Sequence, residues 1–72
     1  MQVVIALFDR FTALDAVGPH QVLIHLPGAE VIFAAQRPGG VTDESRTLTL
    51  AAKAGFVDVP HPDIIEIGRA HV

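Results

Sequence analysis

The chain reads as α/β, the opening portion of a doubly wound parallel sheet. Three observations predict this. Val3 to Phe8 is an unbroken apolar run rich in β-branched residues, and Ala29 to Ala35 is largely another. Runs without alternation suit strands covered on both faces, as in parallel sheets. Between them lies a stretch with apolar residues at helical spacing, which makes a β-α-β unit with a right-handed crossover.

Taken in order, the first strand ends at Asp9-Arg10. Val17, Val22, Leu23 and Leu26 then repeat at roughly helical spacing, and Pro27-Gly28 stops the helix. Its start is open between Asp15 as N-cap and Gly18-Pro19 as a first turn, since both offer capping chemistry. The second strand leads into Arg37-Pro38-Gly39-Gly40, read as a loop, and Thr42 to Arg46 reads as a solvated charged loop. Thr47-Leu48-Thr49-Leu50 alternates, as a strand with one wet face does. Phe56 to Pro62 makes a poor helix and is expected to be a covering segment with a turn. Asp63-Ile64-Ile65 then opens a third buried strand. The order β-α-β-β-β is that of a flavodoxin-like sandwich, in which ligands bind beyond the carboxyl ends of the strands.

Composition narrows the function. The chain has 72 residues, half of them apolar, with a net charge of −3 and no cysteine. A chain this short buries only about 60% of its unfolded surface, and with one helix for three strands one sheet face is expected to stay bare. The acidic balance disfavours nucleic-acid binding through this segment. Residues 1–8 carry no basic leader, and their apolar run is too short to span a bilayer, so no membrane association is expected and a cytoplasmic location is the default. No metal site is expected. His20 and His25 are five apart, about 140° around a helix, and His61 sits between prolines. Arg37 to Gly40 lacks the Lys-Ser/Thr ending of a phosphate loop. No cofactor is called for.

The final six residues, Ile67-Gly68-Arg69-Ala70-His71-Val72, match one reading frame of a widely used short-read sequencing adapter, ATC GGA AGA GCA CAC GTC, with TGA as the next codon. A Glu66 codon ending in AG fits the adapter's leading bases. The expectation is therefore that 66–72 is an adapter-derived, non-native tail on an N-terminal part spanning 1–65. Segments of that kind are set aside from fold reasoning.

Val3 to Phe8, then Leu14-Asp15-Ala16-Val17-Gly18-Pro19-His20-Gln21-Val22-Leu23, then Pro60-His61-Pro62-Asp63-Ile64-Ile65, resemble the DJ-1/PfpI family within the class I glutamine-amidotransferase-like fold. The resemblance is to its isocyanide-hydratase-like branch, of bacterial type, and to the similar N-terminal domains of some AraC-type transcriptional regulators. It covers residues 2 to 65, about the first third of a family domain. The Leu-Asp-x-x-Gly-Pro element is its most specific part.

The resemblance implies a cysteine nucleophile on a strand-to-helix elbow, facing a carboxylic acid from the first βα loop. Asp15 matches that acid, with Gly18 and Pro19 as supporting residues. A thiolate is the competent nucleophile. A carboxyl group beside it tends to keep its proton and can then donate it during reaction. Gln21 departs from the Glu or Asp common at its position. The chain itself contains no thiol, so as written it lacks the nucleophile, and the expected activity is that of an intact parent acting on a small molecule as a homodimer. The alternative from another class is the ligand-sensing domain of an AraC-type regulator, which a basic helix-turn-helix downstream would reveal. A third reading is that the 72-residue product has no function of its own.

Overall fold

The computed structural model describes residues 1–67. It contains β1 (Gln2–Ala6), α1 (Ala13–Leu23), β2 (Glu30–Ala35), β3 (Gly39–Thr42), β4 (Thr49–Ala52), β5 (Ala54–Gly55), a 3₁₀ turn over Phe56–Asp58, and β6 (Ile64–Ile67). Four strands form one sheet in the order β5-β2-β1-β6, and every pairing in it is parallel. The predicted α/β class and flavodoxin-like arrangement are therefore present.

Register explains why β1 is the most buried element. Val4 lies opposite Ile32 on one side and Ile65 on the other, and Ile5 lies opposite Phe33 and Glu66. With a neighbour on each edge, Val3, Val4 and Ile5 are all fully or almost fully buried. Because side chains alternate across a strand, Ile5, Phe33 and Glu66 share the face that α1 covers. Ile5, Leu7, Phe11, Ala16 and Ala35 form the core there. Ring stacking of His20 on Phe33, with centroids 5.0 Å apart, ties the helix to the sheet.

The opposite face carries Val4, Ala6, Ile65 and Ile67. The Phe56–Pro62 segment crosses part of it, leaving an apolar trough of about 280 Å³. Ile65 and Ile67 remain 58% and 63% exposed. The third strand is therefore paired as expected but is not buried on both faces.

Other expectations are corrected. The β-α-β-β-β order omitted two short strands. Gly39 and Gly40, expected in a loop, open β3, which pairs antiparallel with β4 through Val41↔Leu50 and Thr42↔Thr49. Two-residue β5 extends the edge beyond β2. The helix begins at Ala13 with Thr12 as N-cap, before both anticipated starts, so Asp15 is not the cap and Gly18-Pro19 is helix interior. Val22 and Leu26, expected on the packed face, point to solvent, and Ala16 is the one buried helix residue. A helix apolar on several sides gives no periodic signal sharp enough to fix its orientation. The Pro27-Gly28 stop is realised as a turn closed by Ala29 N donating to Leu26 O, with Gly28 at φ 75°, a value glycine adopts without strain.

The anticipated tail at 66–72 begins inside β6, where Glu66 and Ile67 pair with Ile5 and Ala6. Its remaining positions lie outside the described residues. Among the described residues, no helix is long and apolar enough to cross a membrane.

Candidate functional site at the carboxyl end of the sheet

The loop from β1 into α1 leaves the carboxyl end of the most buried strand. It first folds tightly, with Phe11 N donating to Phe8 O at 3.1 Å and Arg10 at φ 65°. A non-glycine residue in that region costs about 1–2 kcal/mol, so something must hold it. The β3–β4 hairpin does. Arg10 N donates to Thr42 O at 2.9 Å, Glu44 N donates to Phe11 O at 2.8 Å, and Phe11 bridges to Asp43. Phe11 is thereby fully buried.

Asp43 organises the hairpin tip that makes this clamp. Its carboxylate accepts from Ser45 Oγ at 2.9 Å on both oxygens and from Leu48 N at 3.2 Å. Burial pushes its pKa up, but the Ser45 hydroxyl and the amides of Leu48, Thr47 and Arg46 outweigh that and hold it below the ordinary aspartate value. The residue is only 5% exposed, and that burial comes from its own tight turn rather than from depth in the core. The charged loop expected to be solvated is thus anchored by a buried aspartate. An Asp43-x-Ser45-x-Thr47 spacing is a signal that could have found it, since such side chains bond the backbone of their own turns.

Past the clamp, Thr12 caps the helix with its backbone alone. Its Oγ1 is buried without a partner, and the helix has no side-chain cap bond. Thr12 and Asp15 have the spacing of a capping box, yet the only bond between them is Asp15 N to Thr12 O at 3.0 Å. Among the described residues, the half-buried Asp15 carboxylate is left uncommitted in the first helical turn, where the helix dipole favours negative charge.

Gly18 and Pro19 follow three and four residues on, so all three share one side of α1. Pro19 has no amide hydrogen for the Asp15 carbonyl, and its ring crowds that oxygen. Gly18 lacks the Cβ that would clash with the proline ring. Sequence reasoning set the two residues at the start of the helix, whereas they lie in its interior.

A second feature occupies the same end of the sheet. A crevice of about 390 Å³ opens between the segments that follow β1 and β2. Leu7 and Ala35 form its buried base, Phe8, Val41 and Phe56 flank it, and Asp9, Gln36 and Arg37 stand at the rim. Sequence reasoning pointed to the Phe8–Val17 loop at the carboxyl end of the first strand but gave Asp9 no role. Asp15 does not line it.

A crystal structure of a THiJ/PfpI family protein from Pseudomonas syringae superposes on 96% of this chain with a TM-score of 0.87 and 24% sequence identity. The two share a fold. The match covers 28% of the Pseudomonas protein, so this chain spans less than a third of that length. No family profile matches the sequence, and no curated protein matches it.

The remaining sequence candidates stay apart. Among the described residues, no three His, Cys, Asp or Glu side chains come together as a metal site. His20 is engaged with Phe33 and lies 3.3 Å from Gln21 Nε2 through its Nδ1. His61 lies in a bend, and Arg37 to Gly40 leads into a strand, not a helix.

Proposed function

We propose that this chain is the N-terminal part of a DJ-1/PfpI-type domain, and that Asp15 is the acid partner of a cysteine nucleophile carried by a longer parent. The observation that supports this best is the placement of Asp15. It follows the central strand at its carboxyl end, sits in the first turn of α1, and its carboxylate is not consumed by helix capping. The Leu14-Asp15-x-x-Gly18-Pro19 resemblance adds the expected role, and the shared fold with a THiJ/PfpI protein agrees with it.

In this reading the reaction is an isocyanide-hydratase-like addition of water to a small electrophilic carbon. A thiolate attacks the carbon, and the Asp15 carboxyl supplies the proton that the adduct needs. Water then releases the product. The parent is a cytoplasmic homodimer, and the 72-residue chain, without a thiol, is inactive.

The test is to amplify the source DNA from the Met1 codon to well beyond the Ile65 codon and determine its sequence. A continuation into a Gly-rich turn and a later elbow cysteine supports the proposal. Asp15→Asn in that protein should then lower hydration of a simple alkyl isocyanide by at least about a hundred-fold. Full activity in the variant refutes the role of Asp15. A downstream basic helix-turn-helix and no elbow cysteine would make the parent a regulator instead.

A further inference from the structure

We propose that the crevice between the carboxyl ends of β1 and β2 binds a small zwitterion with an apolar body, Arg37 taking its carboxylate and Asp9 its ammonium group. The crevice has the size of a small-molecule site, about 390 Å³, at the low end of the usual range. It lies outside the carboxyl ends of two adjacent parallel strands, one gap away from the β1/β6 switch point of the sheet.

Its lining sets the ligand's shape. Leu7 and Ala35 are buried beneath it, while Phe56 stands at its side with 42% of its surface exposed. An apolar group of a few carbons inserted there gains burial against all three.

The rim sets the ligand's charge. Asp9 lies three residues past the end of β1, and Arg37 lies two past the end of β2. These are adjacent strands, normally under 5 Å apart, yet among the described residues no ion pair joins the two side chains. Each strand end thus brings one charge to the lining, a negative one after β1 and a positive one after β2. A purely anionic ligand gains at Arg37 and is repelled at Asp9, and a purely cationic one meets the reverse. Only a ligand with both charges satisfies both, and the planar fork of an arginine suits a carboxylate. A branched aliphatic amino acid has this combination of size, apolar body and paired charge.

Asp15 has no part in the crevice, so this inference goes beyond the proposed acid role and fails separately from it.

The experiment is an NMR titration of the ¹⁵N-labelled 72-residue chain with L-leucine, with 4-methylpentanoate, which lacks the ammonium group, and with 3-methylbutylamine, which lacks the carboxylate. Leucine should give saturable shifts at the Phe8, Gln36 and Val41 amides. Each truncated analogue should bind at least about ten-fold more weakly. R37Q should erase the gap between leucine and the amine, and D9N the gap between leucine and the acid. Because the chain's bare sheet face can drive self-association, I65T/I67T, altered at two exposed positions outside the crevice, carries the same titration.

Equal binding of all three compounds overturns the proposal. So does a response centred on β6, or the absence of saturable shifts. An undispersed spectrum from both chains also overturns it, since the crevice then does not form in this chain.

Discussion

The bare face of the sheet should make this chain associate with itself. Phe56, Ile65 and Ile67 flank the same apolar trough and are 42%, 58% and 63% exposed. Fully burying a side chain of this class is worth about 2 kcal/mol, so roughly 3 kcal/mol per chain remains ungained while water touches this face. A chain of this length has a total stability of only about 4–11 kcal/mol, so the ungained part is large by comparison. The two isoleucines account for about 2 kcal/mol of it. Replacing both by threonine keeps the β-branched shape that a strand prefers and removes most of the drive. I65T/I67T should therefore weaken association by at least about thirty-fold. Sedimentation velocity over a concentration series measures this directly, with binding of a hydrophobic dye as a second readout. A wild-type chain that stays monomeric throughout, binds no dye and melts in one sharp transition would refute the reasoning.

The other predictions concern the helix and the clamp. In the I65T/I67T background, Pro19→Ala should restore an amide donor to the Asp15 carbonyl and relieve the ring contact, raising stability by up to about 3 kcal/mol. That corresponds to a rise of several degrees or more in Tm, read by circular dichroism, and an unchanged or lower Tm would show that the proline is not strained in α1. Asp43 titrates below the ordinary aspartate value when folded, so its contribution is present above the unfolded carboxylate pKa, about 3.9. It is lost as pH falls through the lower folded value. Melting curves between neutral pH and pH 3 should therefore show the wild type losing stability more steeply than Asp43→Asn at the acidic end, and parallel curves would count against the clamp.

How much of the fold was legible in the sequence depended on what each residue could reveal alone. Val3 to Phe8 and the Ala29–Ala35 run announced parallel strands, because only a strand covered on two sides tolerates so few polar positions. The Phe56–Pro62 segment was legible as a cover because its valines suit a long helix poorly and its prolines cannot serve a ladder. The hairpin was half-visible. Alternation gave its second strand, but Gly39 and Gly40 hid the first, since glycine carries no side-chain pattern to read. The start of α1 was missed because Thr12 caps it through backbone alone, while Asp15 and Gly18-Pro19 offered stronger local signals. Asp43 was missed for a different reason. Its burial depends on a turn of six residues closing on itself, and charge alone marks an aspartate as a surface residue. The candidate acid rested on the resemblance, and its spare carboxylate became apparent only once the unmade capping box was seen.

The position of β1 also sets a timetable. This strand is made before both of its neighbours, since its edges are filled by later segments, Glu30 to Ala34 on one side and Ile64 to Ile67 on the other. At roughly 5–20 residues per second during synthesis, an emerging β1 waits several seconds before its second neighbour exists. Throughout that interval a six-residue apolar run stands with an open edge. During synthesis the fold is therefore most vulnerable at the strand that ends up most buried, and a holdase that shields nascent β1 should raise the yield of this chain.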